Sequence, residues 1–426
     1  MNNQLFDTSE NLAHELDKGD HLSHYRNQFH IPTTSSGKNC IYLAGNSLGL
    51  QPRKAREYID QELDDWAKLG VEGHFHAKNP WLPYHELLTE QTARLVGALP
   101  IEVVVMNTLT VNLHLMMVSF YRPTPERNKI LIEGGAFPSD QYAVRSQAHF
   151  HGLKEKDAIL ELKPRHGETI LRNEDIVKQI EETGESIALI LIGSVNYLTG
   201  QAFDIQAITK AAHSKGCLIG FDLAHGAGNL NLNLHQWGPD FAVWCSYKYL
   251  NAGPGALAGC FVHERHSKKI DIPRFSGWWG HNKHTRFEMN STFDPIAGAQ
   301  GWQLSNPPIF QMAALRASME IFDSASMDRL RSKSKNLTGY LEYLLTQMLP
   351  DNCRSITPSE PDQRGSQLSL RINGKSRNLL DKLSARGIIC DFREPNIIRV
   401  APVSLYNNFS EIYSFVKTLD ELSRSL

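Results

Sequence analysis

Short apolar runs recur between residues 129 and 262 of this 426-residue chain, and amphipathic stretches separate them. The runs cover residues 130–132, 187–192, 218–221, 241–244 and 256–262. Runs of this kind are typical of strands that are buried on both faces of a mostly parallel sheet. Asp204 is a suitable N-cap for a helix with Ile205 and Ile208 on its apolar face, which predicts a strand–helix–strand unit. The sequence therefore predicts an α/β fold in which helices cover a mostly parallel sheet.

The C-terminal part of the chain follows a different pattern. Residues 367–372 alternate between apolar and polar side chains, as a half-buried strand does, and residues 396–400 resemble a second strand. A helical apolar pattern from Ile412 to Leu422 follows them. We expect an N-terminal segment, 1–50, that contributes to the small domain and the active site, a large domain, 51–314, and a small α+β domain, 315–426.

Composition limits the possible partners. The formal net charge is −2, with 41% hydrophobic and 21% charged residues, so nothing draws the whole chain toward nucleic acid or an anionic membrane. The first residues lack a signal-peptide pattern and no run is long enough to cross a membrane, which predicts a cytoplasmic protein. The six cysteines form no C-x-x-C pair and favour reduced, buried thiols.

Two of the apolar runs end in residues that suggest a cofactor. Asp222 follows the run at 218–221, and Lys248 follows the run at 241–244 together with Ser246 and Tyr247. Alone, such an Asp is usually a turn residue and such a Lys is usually solvated. Together they are the expected layout of a pyridoxal-phosphate (PLP) enzyme, in which the lysine holds the aldehyde as a Schiff base and the aspartate pairs with the pyridine nitrogen.

Other residues are consistent with that cofactor and an amino-acid substrate. Thr110 opens an apolar helical run and could bind a phosphate at the helix N-terminus, although an ordinary cap explains it equally well. Phe137 follows a strand and could stack on the cofactor ring, or belong to the core. Arg399 lies in an apolar strand and suits a substrate carboxylate, with a structural salt bridge as the alternative.

Histidines do not predict a metal site in this chain. His74, His76, His85, His281 and His284 lack the H-e-x-x-H spacing of zinc hydrolases, and neutral hydrogen-bonding histidines explain them as well. We therefore expect no bound metal.

Motifs spread over nearly the whole chain resemble those of the kynureninase family. They are Tyr42-Leu43-Ala44-Gly45-Asn46-Ser47-Leu48-Gly49, Phe137-Pro138-Ser139-Asp140, Phe221-Asp222-Leu223-Ala224-His225, Cys245-Ser246-Tyr247-Lys248-Tyr249-Leu250-Asn251-Ala252-Gly253, Gly277-Trp278-Trp279-Gly280-His281, Ser305-Asn306-Pro307-Pro308 and Arg399-Val400-Ala401-Pro402. Any one of them is weak, but the combination is highly specific. The resemblance implies the aspartate-aminotransferase-like fold of PLP-dependent transferases and a homodimer whose active sites are shared between subunits.

The resemblance also implies roles for individual residues. Lys248, Tyr247 and Asp222 would be catalytic, with Lys248 as the Schiff-base lysine. The cofactor would be bound by Leu109, Thr110, Phe137, Pro138, Ser139, Asp140, Asp222, His225, Tyr247, Lys248, Trp278 and Asn306, the last two from the partner subunit. The substrate would be bound by Ser47, His74, Asn306 and Arg399. The pattern departs from the family at Gly193-Ser194, so a cofactor contact there stays open.

The implied reaction is the hydrolysis of L-kynurenine or 3-hydroxy-L-kynurenine to anthranilate or 3-hydroxyanthranilate plus L-alanine, in tryptophan breakdown or NAD synthesis. His74, Ser305 and Asn306 could hydrogen-bond a ring hydroxyl, which favours the 3-hydroxy substrate. The nearest rival is a cysteine desulfurase of the same fold, which needs a reactive cysteine on a mobile loop. Cys353 is the candidate for it, but Tyr247 stands where those relatives typically have His. A scaffold without chemistry is hard to reconcile with Asp222, Lys248, Thr110 and Arg399 together.

Overall fold

A computed structural model describes residues 6–269, 271–349, 353–373 and 376–424. Its α-helices are α1 (Glu10–Lys18), α2 (Lys54–Leu69), α3 (Gly73–His76), α4 (Thr89–Val96), α5 (Leu109–Phe120), α6 (Pro138–Phe150), α7 (Glu155–Ala158), α8 (Asn173–Thr183), α9 (Ile205–Ser214), α10 (Leu234–Trp237), α11 (Glu264–Ser267), α12 (Ile309–Ala325), α13 (Met327–Met348), α14 (Ser376–Ala385) and α15 (Phe409–Ser423). Its strands are β1 (Ile41–Tyr42), β2 (Val103–Met106), β3 (Lys129–Glu133), β4 (Ile159–Leu162), β5 (Ile187–Gly193), β6 (Leu218–Asp222), β7 (Phe241–Cys245), β8 (Ala258–Val262), β9 (Cys353–Ser355), β10 (Leu368–Ile372), β11 (Ile388–Ile389), β12 (Asp391–Arg393) and β13 (Ile397–Val400).

The larger sheet has seven strands in the order β2-β8-β7-β6-β5-β3-β4. Strands β4, β3, β5, β6 and β7 pair in parallel, whereas β8 is antiparallel to both β7 and β2. Every described residue of β2, β7 and β8 is buried, as expected for strands covered on both sides. The sheet is therefore mixed but mostly parallel, as the sequence predicted.

Successive residues of these strands enter two different cores. Leu131, Ile190 and Phe221 pack into one core together with side chains of α8, α9 and α12. Their neighbours Ile132 and Leu191 pack into the other, together with side chains of α5 and α6. Because alternate side chains point to opposite faces of a strand, the continuous apolar runs supply both helical layers.

The smaller sheet is antiparallel, with the strand order β12-β13-β10-β9. Its buried face packs on α13, α14 and α15, and Ala13 of α1 lies in the same core. Strand β1 pairs in parallel with β11, so residues near the N-terminus lie beside the C-terminal elements. The expected limits of the domains, 1–50, 51–314 and 315–426, stay a prediction.

Local details agree with the sequence patterns. The Asp204 carboxylate accepts a hydrogen bond from the Ala207 amide and caps α9, as predicted. Strand β8 begins at Ala258, two residues after the start of the apolar run at 256–262, because Gly255 lies in the left-handed region and precedes the strand in a turn. None of the helices among the described residues has the length and apolarity that a membrane span requires.

Candidate active site

A cleft opens where the carboxyl ends of β3, β5 and β6 meet the turn after β7. Its empty volume is about 620 Å³, including the solvent at its mouth. It is lined by Leu109, Thr110, Glu133, Ala136, Phe137, Ser139, Asp140, Gly193, Val195, Asn196, Tyr197, Asp222, Ala224, His225, Tyr247 and Lys248. Ligand sites of α/β sheets form at this edge, since the carboxyl ends of parallel strands converge there.

The amine of Lys248 lies inside this cleft. Its Nζ atom is 3.1 Å from Nε2 of His225 and 5.8 Å from the centre of the Phe137 ring. Burial, and then the charge of Lys248, lowers the pKa of His225 well below its usual value. The imidazole is therefore neutral, and its Nε2 can accept a hydrogen bond from the lysine.

Three buried carboxyl groups surround the inner wall of the cleft: those of Glu133, Asp140 and Asp222. Burial raises the pKa of Asp222, while the Ala224 amide, which donates to its Oδ1 at 2.6 Å, and the charge of Lys248 lower it. Burial raises the pKa of Asp140 well above its usual value, and the adjacent Asp222 raises it further. Oδ1 of Asp140 is buried without a hydrogen-bond partner. A protonated nitrogen heterocycle would satisfy these groups, so the inner wall fits a pyridinium ring.

The other end of the cleft suits an anion. Helices α5 and α6 both begin there, and neither has a side-chain hydrogen bond that caps its first turn. The hydroxyl groups of Thr110 and Ser139, one on each helix, lie 2.8 Å apart. Free amides and the dipoles of two helices favour a phosphate at this point. The donors and acceptors of the cleft thus fit pyridoxal phosphate at both ends.

The turn that carries Tyr247 and Lys248 packs closely against the N-terminal segment. The Gly49 amide donates to the Tyr247 carbonyl at 2.8 Å, and a Cβ atom at Gly49 would lie 2.3 Å from the Lys248 carbonyl oxygen. Only glycine permits this approach without displacement of backbone. The exposed Ser47 lies two residues earlier, in the same loop. Burial raises the pKa of the Tyr247 hydroxyl, so the phenol is protonated.

Arg399 lies on β13 and contacts the backbone of Tyr197. Its Nη1 donates to the Tyr197 carbonyl at 2.6 Å, its Nη2 pairs with Asp391, and its buried Nε has no hydrogen-bond partner. The salt bridge that the sequence left as an alternative is therefore present, and one donor stays available beside it. Arg399 itself does not line the cleft, but Tyr197 does.

The other predicted residues lie outside the lining of this chain's cleft. Pro138 is the first residue of α6. His74 lies on α3 with its ring 5.4 Å from that of Trp81. Trp278 and Asn306 are exposed, and the Nε1 of Trp278 donates to the Arg286 carbonyl at 3.0 Å. Both were expected to act on the partner subunit, and this stays a prediction.

The sequence did not single out Glu133, Asn196 or Tyr197, all of which line the cleft. Glu133 ends the apolar strand β3 just as Asp222 ends β6, so the same signal was present. Gly193 also lines the cleft, whereas the Ser194 hydroxyl is buried without a hydrogen-bond partner. The structure does not assign a cofactor contact to Gly193-Ser194.

One group among the described residues has the side chains of a metal site: Glu102, His235 and His263. Its atoms already hydrogen-bond within the protein. Glu102 accepts from His235 and from the Leu99 and Glu264 amides, and Nδ1 of His263 accepts from the Arg265 amide. The expectation that no metal binds stays a prediction.

Comparisons with known proteins identify the family. Residues 330–419 match the model of the kynureninase C-terminal domain. A kynureninase from Myxococcus xanthus is 65% identical over 99% of both chains, and one from Koribacter versatilis is 61% identical over 97% of both. The chain belongs to the kynureninase family.

Kynureninase is a PLP-dependent hydrolase that converts kynurenine to anthranilate, and the cofactor, enzyme class and activity predicted from the sequence are confirmed. Among solved structures, a cysteine desulfurase from Escherichia coli has a TM-score of 0.77, covers 95% of this chain and 99% of its own, and is 18% identical. At that identity the likeness shows the shared fold, which confirms the predicted fold class. Cys353, the residue a desulfurase would need, is buried on β9, and burial raises its pKa to about 12.

Proposed function

We propose that the cleft at the ends of β3, β5 and β6 hydrolyses L-kynurenine and 3-hydroxy-L-kynurenine, with Lys248 as the catalytic lysine. The position of the Lys248 amine carries this proposal. It lies 3.1 Å from Nε2 of the neutral His225, and its charge lowers the pKa of both Asp222 and Asp140. The Thr110 and Ser139 hydroxyls mark an anion site in the same cleft. Bound through Lys248, pyridoxal phosphate supplies an electron-withdrawing ring that stabilises negative charge at the substrate α-carbon.

Other residues of the cleft and Arg399 bind the cofactor and the substrate. Asp222, supported by Asp140, holds a proton on the pyridine nitrogen, because an ionised carboxylate beside it favours the charged ring. The Thr110 and Ser139 hydroxyls and the amides of Leu109 and its neighbours bind the phosphate, and Phe137 packs on the ring. Arg399 binds the substrate α-carboxylate through its unpartnered Nε.

Lys248 and Tyr247 handle protons. The free Lys248 amine takes the α-proton of the substrate. Because burial keeps the Tyr247 phenol protonated, its hydroxyl can donate a proton during cleavage and recover it from water. Water adds to the side-chain ketone, and the bond between the β- and γ-carbons breaks to release alanine and the aromatic acid.

We further propose a preference for the 3-hydroxy substrate. His74 has a buried Nδ1 without a hydrogen-bond partner. A ring hydroxyl that reaches His74, Ser305 or Asn306 would pair such groups, whereas plain kynurenine would leave them unpaired. We expect kcat/KM to be higher for 3-hydroxykynurenine, by about tenfold for one recovered hydrogen bond. A clear preference for plain kynurenine would disprove this.

The assembly of the active site is also a proposal. Trp278 and Asn306 are exposed and lie outside the cleft lining, and Phe275 and Phe287 near Trp278 are more than half exposed. An apolar surface of this kind favours a second copy of the chain. We propose a cytoplasmic homodimer in which Trp278 and Asn306 of each chain approach the phosphate of the other. Each chain has a large domain at 51–314, a small domain at 315–426 and an N-terminal segment, 1–50, that contributes to the small domain and the active site.

The test of this function is the visible spectrum of the purified enzyme during addition of 3-hydroxykynurenine, with both products assayed in the same cuvette. We expect the absorbance of bound cofactor to change on addition and one equivalent each of 3-hydroxyanthranilate and L-alanine to form. A Lys248→Ala variant should lose the reaction. A yellow protein that yields neither product would disprove the function but not the fold.

A further inference from the structure

Glu133 is a buried carboxyl group for which the proposed chemistry has no role. It ends β3, is 3% exposed, and lies in the same cleft as Asp222. Burial raises its pKa to about 7, Asp222 raises it as well, and a hydrogen bond from Asn196 opposes the rise. A buried carboxyl with this cost needs a compensating contact, and Asn196 supplies it.

The orientation of the Asn196 amide is fixed by its own turn. Its Oδ1 accepts from the Leu198 amide at 2.9 Å, from the Thr199 amide at 2.7 Å and from the Thr199 hydroxyl at 3.1 Å. Because these donors all require an oxygen, Nδ2 must point the other way, and it donates to Oε1 of Glu133. The pair therefore ties the turn at residues 196–200 to the end of β3.

The same turn carries the carbonyl that holds the substrate-binding arginine. The Tyr197 carbonyl accepts from Nη1 of Arg399 at 2.6 Å and from Nε2 of Gln367 at 3.1 Å. The Leu198 carbonyl accepts from the Ser369 hydroxyl at 2.5 Å. Arg399 and Ser369 belong to the four-stranded sheet, so this turn connects that sheet to the seven-stranded one.

We propose that Glu133 is a positioning residue: through Asn196 it places the Tyr197 carbonyl, and thereby Arg399, for the substrate α-carboxylate. This inference rests on the proposed role of Arg399. Glu133 touches neither the carboxylate nor the guanidinium, and its effect passes through one hydrogen bond and one turn of backbone. The end of the cleft near the cofactor thus sets the geometry of the end that binds the amino acid.

The test compares two ligands that differ only in the group that Arg399 binds. L-Alanine has an α-carboxylate and L-alaninamide does not, so the ratio of their dissociation constants reports the contact with Arg399. We expect Glu133→Ala and Asn196→Ala to weaken L-alanine binding about tenfold, as the loss of one hydrogen bond to a charged group does, with L-alaninamide unchanged. Binding is measured by spectral titration of the holoenzyme.

Two further variants separate positioning from charge and from general damage. Glu133→Gln still accepts the hydrogen bond from Asn196 and should bind L-alanine as the wild type does. Glu161→Ala removes an exposed carboxylate from the neighbouring strand β4 and is the matched control.

The proposal is overturned if both ligands weaken equally, if L-alanine binding does not change, or if Glu133→Gln loses as much as Glu133→Ala. Should Glu133→Ala fail to fold, Glu133→Leu removes the same hydrogen bond with a side chain of similar size, whereas Asn196→Ala also removes the acceptor of the Leu198 and Thr199 amides. Product formation from kynurenine by the wild type separates a failure of this inference from a failure of the proposed function.

Discussion

Burial and nearby charge set the protonation states of the side chains in the cleft. Burial raises the pKa of Asp140 and Asp222, and the charge of Lys248 lowers both. The ionised forms of these two carboxyl groups therefore depend on nearby positive charge. Burial also keeps His225 neutral and Tyr247 protonated. A site with one lysine, a neutral imidazole and a protonated phenol can accept a proton at one position and donate one at another.

Replacement of Tyr247 with Phe tests the proton donor directly. We expect kcat to fall by a factor of about 10² to 10⁴, as for the loss of a general acid. The visible absorbance of the cofactor should persist, since Lys248 and Asp222 are intact. Steady-state kinetics and a spectrum of the same sample give both quantities. Tyr413→Phe, on α15 and packed against the core beneath the smaller sheet, is the control. An unchanged rate in Tyr247→Phe would exclude the proposed role.

At the scale of elements, Asp240 at the end of the loop before β7 joins several segments. It is 1% exposed and accepts from the Ile219 amide of β6 at 2.7 Å. Its carboxylate also pairs with His213 of α9 at 3.1 Å, and with Arg265 and His266 of α11 at 2.6 and 2.7 Å. These partners outweigh the burial penalty and lower the pKa of Asp240 strongly. The network holds two helices against the sheet on which the cofactor cleft depends.

We expect Asp240→Asn to reduce the free energy of unfolding by about 3 kcal/mol, because the buried site then lacks the carboxylate that pairs with Arg265 and accepts from the Ile219 amide. A carboxyl whose pKa is lower in the folded state stabilises the fold above its unfolded pKa, near 4, and loses that effect as the pH falls toward the folded pKa. The difference between variant and wild type should therefore shrink below about pH 4. Urea denaturation at several pH values measures it.

The exposed pair of Arg165 and Asp175 provides the control for this prediction. Asp175→Asn removes a carboxylate from a surface salt bridge and should leave the unfolding midpoint unchanged within error. Equal effects of the two substitutions would contradict the role given to Asp240.

Some contacts between elements could be predicted from the sequence and others could not. Asp222 and Lys248 could be predicted to meet, because each follows an apolar strand and parallel strands end at one edge. Glu133 offered the same pattern at the end of β3. The contact between Tyr197 and Arg399 could not be predicted, since it joins residues 202 positions apart through the packing of two sheets. The antiparallel direction of β8 could not be predicted either, because an apolar run does not indicate which way its strand is oriented in the sheet.

For the whole molecule, the resemblance to a family predicted more than the local patterns did. Residues 41–42 pair with residues 388–389, so the first and last parts of the chain fold together around β11. Such pairings between distant segments arise from the complete fold, and the motifs of a family record them indirectly. A single chain nevertheless leaves Trp278 and Asn306 outside the lining of its own cleft. The proposed dimer accounts for both.

Mixing two inactive variants tests that dimer. Lys248→Ala lacks the catalytic lysine, and Asn306→Ala lacks the group proposed to reach the partner's site. In a mixed dimer, one of the two sites combines an intact Lys248 with an intact Asn306 from the other chain. After unfolding and refolding of an equal mixture, we expect about a quarter of the wild-type activity, because half of the dimers are mixed and each has one good site. Variants refolded separately and then combined should stay inactive if exchange is slow, and no recovery in the refolded mixture would place Asn306 in the site of its own chain.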